Sequence, residues 1–253
     1  MAAEQARERD APAAKFEPEA ERRLREMSDF LAGQRQLTVR TQGTIEAVLE
    51  SGQKIQFHRE GLVSLRRPDR LRVDRTGDLS DLQLFYDGKQ LTLYGEKSQT
   101  FAAAPAPPTL DDTLDMASDL LGLEPPAADL LYSNPYAVLR ESMRSGTYLG
   151  RANVEGVATH HLAFQGDEVD VQIWIEDGPR PLPRKYVVTS KRVDQAPQYA
   201  VVLSDWDLAP QLSDSQFVFR PPAEAQRVSF LEKEARDDKG SREQSGSRTA
   251  PKE

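Results

Sequence analysis

The sequence predicts a mainly β protein with added helices, in which a long, curved antiparallel meander is interrupted by a helical insert. Three observations carry this fold class. Between residues 62 and 94, LVSLRRPDRLRV is followed by LQLFYDGKQLTLYG, and Leu71 and Val73, Leu82 and Leu84, and Leu91 and Leu93 each fall two apart. Arg67-Pro68-Asp69 and Asp87-Gly88-Lys89 separate these runs: Pro68 lacks a ladder donor and Asp-Gly supplies a hairpin turn. Further on, Val169, Val171, Ile173 and Ile175 alternate with Asp170, Gln172, Trp174 and Glu176, the pattern of a half-buried strand. Between these two regions Leu110, Leu114, Ala117 and Leu121 recur at helical spacing.

The elements follow in order. Residues 1–18 have no periodic apolar face and read as a disordered tail. Residues 19–33 put Leu24, Met27, Phe30 and Leu31 on one helical stripe, with Gly33 as the stop. Residues 37–50 change period: Val39, Thr41, Gly43, Ile45, Ala47 and Leu49 alternate with polar residues in a long strand. Ser51-Gly52 turns it into a strand at 54–59, and the meander continues from there. From Phe101 the pattern breaks into a Pro-rich linker. A short helix at 111–122, a helical turn at 127–132 and a third helix from Asn134-Pro135 to about Met143 follow, with Val138 and Leu139 inward. The second block has strands near 147–153, 157–164, 169–176, 184–191, 199–207 and 216–219, which brings the total to about eleven or twelve. An apolar-striped insert inside a meander belongs across the sheet's concave side, so residues 109–143 are expected to form a lid on a domain spanning 19–230. Residues 231–253, with six basic and six acidic side chains, read as a second disordered tail.

Composition removes several function classes. The chain has 33 Lys and Arg against 41 Asp and Glu, a net charge of −8, so phosphate backbones repel it and nucleic acid is not an expected partner. No run of eighteen apolar residues is present to span a bilayer as a helix. Without cysteine there is no structural disulfide and no thiol chemistry. His160 and His161 are neighbours in one strand and point to opposite faces, so they do not chelate one ion together, and His58 is the only other histidine. Asp111, Asp112, Asp115 and Asp119 lack the glycine and terminal Glu of a calcium loop; an acidic first helical turn accounts for them. There is no G-x-S-x-G, no Walker loop and no dinucleotide-binding glycine turn. No catalytic residue, metal ligand or cofactor is therefore assigned, and the protein is not expected to be an enzyme.

The run through Arg67-Pro68, the short strand after it, Asp87-Gly88-Lys89 and the Leu/Tyr-rich return resembles the periplasmic lipoprotein carrier LolA and its relatives. Asp214-Ser215-Gln216-Phe217-Val218-Phe219-Arg220-Pro221-Pro222 resembles that family's closing strand. Residues 156–164, 170–175 and 199–206 look more like a branch of predicted periplasmic proteins, a domain of unknown function, within the LolA-like group. The likeness covers roughly residues 20–230. It implies an unclosed antiparallel β half-barrel with helices over its concave face. It also implies a periplasmic location for the mature chain, its signal peptide removed. The implied function is a monomeric, non-catalytic carrier of lipid or lipoprotein acyl chains. The alternative is an envelope interaction or sensor protein that uses the same fold to bind a membrane-protein partner. Leu71, Val73, Leu84, Leu114 and Leu121 are the ligand-binding residues so implied, and Arg67 matches the arginine that in LolA hydrogen-bonds the lid. Arg66→Leu beside it is the matching control, expected to do little if that side chain points to water.

Overall fold

The computed structural model describes residues 15–121 and 127–230. Helix α1 (Pro18–Ala32) precedes a first block of strands: β1 (Gln36–Val48), β2 (Lys54–Arg66), β3 (Arg70–Gly77), β4 (Leu82–Tyr86), β5 (Gln90–Gly95) and β6 (Thr100–Pro105). The insert is α2 (Leu110–Leu121), a 3-10 turn (Ala128–Leu131) and α3 (Pro135–Ser142). The second block is β7 (Met143–Val154), β8 (Val157–Gly166), β9 (Val169–Glu176), β10 (Pro183–Ser190) and β11 (Gln198–Asp207), with β12 (Gln226–Val228) near the end of the described chain. All twelve strands belong to one sheet in the order β12-β6-β5-β4-β3-β2-β1-β11-β10-β9-β8-β7. The two meanders join where β1 pairs antiparallel with β11, and β12 and β7 are the two edges of a sheet that does not close.

Alternation dictates which side chains face inward. Val39, Val63, Val73, Leu84 and Leu93 stand opposite one another across five successive strands, and Leu37, Leu65, Leu71, Tyr86 and Leu91 form a parallel row. Curvature brings the rows round toward the helices, and two glycines let it happen. A Cβ on Gly43 would lie 2.0 Å from the Ala200 carbonyl oxygen of β11, and one on Gly61 would lie 2.5 Å from the Asp74 carbonyl oxygen of β3. Neighbouring backbone folds over these positions, where no side chain fits.

The helices fill the concavity. Leu24, Met27 and Leu31 of α1 are buried, and α1 packs on α3, β7 and β8. Pro135 starts α3, whose Asn134 side chain accepts the Ala137 N–H at 3.1 Å, and Leu139 is buried beneath it. Leu110, Leu114 and Ala117 of α2 join the same apolar cluster as Leu65 and Leu71 of the first block and Leu162, Ile173 and Tyr186 of the second.

Three expectations change. The segment from Phe101 begins as strand β6, paired in register with β5, before the prolines take over. Ala102, Ala103 and Ala104 carry no alternation to announce it, and Pro105 sits at the strand's end, where its missing N–H costs little. The stretch expected as a strand at 216–219 is instead a 3-10 turn (Asp214–Gln216) leading into a strap across the convex face, while the twelfth strand is β12, parallel to β6. Phe219 lies 5.3, 5.3 and 5.2 Å from the rings of Phe85, Tyr94 and Phe101, and Phe217 is fully buried. Its aromatic residues resemble a strand's, but they dock on the outside of the sheet instead of pairing. Finally, the strand expected at 54–59 runs unbroken to Arg66.

The two expected tails lie outside the described residues over 1–14 and 231–253. Residues 15–18, assigned to the first tail, are in place: Phe16 bridges Gly146, with its ring 6.1 Å from that of Phe164.

Candidate functional site

Between the concave face and the insert lies a cavity of about 370 Å³, within the size range of sites that hold small molecules. Its floor is the inward row of the first block, including Val39, Val63, Val73, Leu84 and Leu93. Its roof is Leu31 of α1, Leu114 and Ala117 of α2, and Leu130 and Leu131 of the 3-10 turn. Of the residues expected to bind ligand, Leu71, Val73, Leu84 and Leu114 line this cavity together. The side chain of Leu121 lies outside the described residues.

β11 contributes Val201 and Leu203, and then Trp206. Strict alternation would bring residue 205 inward instead. A bulge resets the parity: Thr38 pairs with Asp207 but Arg40 with Ser204, and Asp205 takes up the extra residue at φ 49°. Trp206 thereby faces the cavity, its indole N–H donating to the Pro183 carbonyl at 3.2 Å.

The cavity is polar at the end away from the β2–β3 turn. Arg59, Arg75 and Tyr199 line it there. Burial lowers the Arg75 guanidinium's pKa and the nearby charge of Arg59 lowers it further. Burial pushes the Tyr199 hydroxyl up to about 12, against the pull of both arginines. The two arginines were legible as inward positions, since Arg75 continues Leu71 and Val73 and Arg59 precedes Val63 and Leu65 at even spacing; apolar pattern-matching passed over them.

At the other end, strand β2 is tied to the insert. Arg67 Nη2 donates to the Tyr132 carbonyl at 2.9 Å, and the Leu110 N–H donates to the Pro68 carbonyl at 2.8 Å. Arg67 is partly buried and its pKa is lowered by desolvation, with Asp111 opposing. Its Nε is buried without a partner among the described residues. The acidic start of α2 braces this corner: Asp111 accepts the Ser133 N–H at 2.9 Å, and Asp115 accepts the Tyr132 hydroxyl at 2.8 Å. Arg66 does not point freely to water. It pairs with Asp214, donates to the Leu212 carbonyl at 3.0 Å and lies over the Phe217 ring, so it clamps the convex-face strap. Adjacent residues on a strand face opposite ways, which assigns the two arginines to the two sides of the sheet.

The histidines stand apart from the cavity. His160 is 2 % exposed, with Nδ1 2.9 Å from the Tyr148 hydroxyl and Nε2 3.0 Å from Asp177 Oδ1. His161, on the other face, stacks on Trp174 with ring centroids 3.9 Å apart. No group of three or more His, Asp or Glu side chains among the described residues is arranged to hold a metal ion.

An unclosed sheet, antiparallel except where β12 joins β6, wraps around helices and leaves a cavity between them, the architecture of a β half-barrel. The chain belongs to the DUF2092 family of predicted periplasmic proteins, whose model matches residues 20–231. Among solved structures, an uncharacterized conserved protein from Thermus thermophilus is similar at a TM-score of 0.50 and 12% identity, over 83% of this chain and 99% of that one. A LolA superfamily protein from Nitrosomonas europaea aligns at a TM-score of 0.37 and 12% identity, over 79% and 97%. LprF from Mycobacterium bovis aligns at 0.39 and 12%, over 84% and 100%. At these identities the likeness is one of fold. No curated protein matches the sequence. No helix among the described residues is long and apolar enough to cross a membrane.

Proposed function

We propose that this protein is a non-catalytic binding or carrier protein of the periplasm that holds the acyl chains of a lipid or lipoprotein in its cavity. The observation that carries the reading is the roofed cavity itself, with a leucine and valine floor and a lid resting on it. Burial of each methylene contributes about 0.8 kcal/mol, so a chain of roughly ten methylenes is retained without specific polar chemistry. Residues 19–230 form the binding unit and 109–143 its lid. Arg67 is the latch: its bond to the Tyr132 carbonyl joins the sheet to the lid at one corner, and its release loosens the lid so that the cavity can admit cargo.

The test is binding of a neutral fluorescent alkyl probe, together with mass spectrometry of lipid carried by gently isolated protein. The wild type is expected to bind the probe. Leu114→Asp, which sets an unpaired carboxylate in the roof, is expected to weaken binding by about 1–3 kcal/mol. A folded Leu114→Asp variant with unchanged affinity would remove α2 from the site. Absence of both probe binding and co-isolated lipid would overturn the carrier reading in favour of a protein-binding role.

A further inference from the structure

Arg59 and Arg75 sit where an apolar cavity has no structural need of them. They project from adjacent strands on the inward face, Arg59 opposite Gly77 and Arg75 opposite Gly61, so each faces a residue with no side chain. Among the described residues no carboxylate lies within the 4.0 Å ion-pair distance of either guanidinium. Arg75 makes one side-chain hydrogen bond, to the Ser80 hydroxyl at 3.1 Å, and Arg59 makes none. Glu60, also at the rim, springs from the opposite face of β2 and accepts weakly from the Thr76 hydroxyl at 3.5 Å. Tyr199 adds a hydroxyl from β11 with no hydrogen-bond partner among the described residues. Two like charges are thus held side by side, partly out of water, in a protein whose net charge is −8. Such a pair is unfavourable until an anion joins it.

We infer that the cavity takes an anionic amphiphile, its acyl chain beneath the lid and its carboxylate or phosphate head bound by Arg59 and Arg75, with the Tyr199 hydroxyl as a further donor. This rests on the acyl-binding reading above and specifies the cargo's head. The geometry gives the cargo a direction. Arg67 ties the lid at one end of β2, and Arg59 lies eight residues away, roughly 26 Å along the strand. The tail therefore points toward the latch and the head remains at the far mouth. A neutral head would leave both guanidinium groups unpaired, and a cationic head would be repelled. Guanidinium forks bind either carboxylate or phosphate oxygens in pairs, so the residues define the charge of the head and leave its identity to the experiment.

The experiment is displacement of the neutral alkyl probe from the full chain by dodecanoate, dodecyl phosphate, dodecanol and dodecyltrimethylammonium, each below its micelle concentration. At least one of the two anions is expected to displace the probe at a concentration about tenfold or more below dodecanol, as a charge-assisted pair requires. Which anion binds more tightly separates a fatty carboxylate from a phospholipid-type head. In R59Q/R75Q the anion preference over dodecanol, measured in the same variant, should fall to within about twofold, the ratio expected with no head contact. If that variant does not fold, the wild type still decides: added salt should weaken the anions and leave dodecanol unchanged. Equal displacement by anions and dodecanol in the wild type would overturn the head site while leaving the acyl cavity standing. So would an anion preference that survives R59Q/R75Q. Failure of all four compounds, or of the probe itself, would overturn the acyl-binding reading on which the head site rests.

Discussion

Asp129 stands on the lid's 3-10 turn with Oδ2 accepting the Tyr186 hydroxyl at 3.0 Å, and burial raises its carboxyl above the ordinary value of 3.8. Between that value and the raised one, the folded protein holds a proton that the unfolded chain has lost. The group therefore adds stability as pH falls through this window and removes it as pH rises. Asp129→Asn keeps an acceptor for Tyr186 and cannot ionise. Its urea midpoint is expected to exceed the wild type's near about pH 8, and the difference is expected to shrink as pH falls through the raised pKa toward the ordinary one. Taking the difference between the two proteins cancels Glu46 and Asp177, whose lowered pKa values work in the opposite direction. Parallel curves at all pH values would mean that the carboxyl is solvated. Arg66 and Arg67 make a second point about single residues. They are adjacent and chemically identical, yet one binds the convex-face strap and the other the lid, because a strand turns successive side chains to opposite faces.

The lid is held by few bonds at its latch corner. Arg67→Leu removes the donor to the Tyr132 carbonyl, a charged hydrogen bond worth about 1.5–3 kcal/mol, and also relieves the burial of a cation. Amide exchange in α2 is expected to speed by about tenfold or more, while β1, β2 and β11 keep their protection, because the opening is local. Equal exchange in α2 of both proteins would make Arg67 a packing residue with no latch role. Arg66→Leu is not a silent control, since it should loosen the 212–219 strap instead. Among the strands, the β11 bulge at Asp205 decides that Trp206 and not residue 205 faces the cavity. Strict alternation would put residue 205 inward, because an inserted residue has no signature in an apolar pattern.

The cavity exists because one twelve-stranded sheet bends far enough to face its own helices without closing. Gly61 is part of that bend. Gly61→Ala would place a Cβ 2.5 Å from the Asp74 carbonyl oxygen and 3.2 Å from the Thr41 hydroxyl, so the backbone of β3 must move. A loss of about 1–3 kcal/mol is expected in urea unfolding, together with weaker probe binding as the floor flattens. An alanine variant as stable and as tight as the wild type would place the curvature elsewhere.

Much of this was legible in the residues. Period-two leucines and valines specified the strands of the first meander, and helical spacing specified α1 and the insert. Arg67-Pro68 and Asp87-Gly88 marked the turns, and four of the five proposed ligand-binding leucines and valines face one cavity. These are local properties, set by the two- and 3.6-residue periods that any chain must obey when one face is buried. Other features depend on partners distant in sequence: the pairing of β1 with β11, the strap that docks Phe219 on the convex face, the parallel pairing of β12 with β6, and the meeting of Arg59, Arg75 and Tyr199 at one mouth. Those contacts join residues up to about a hundred and seventy positions apart, and their energy arises only when the sheet is assembled and curved.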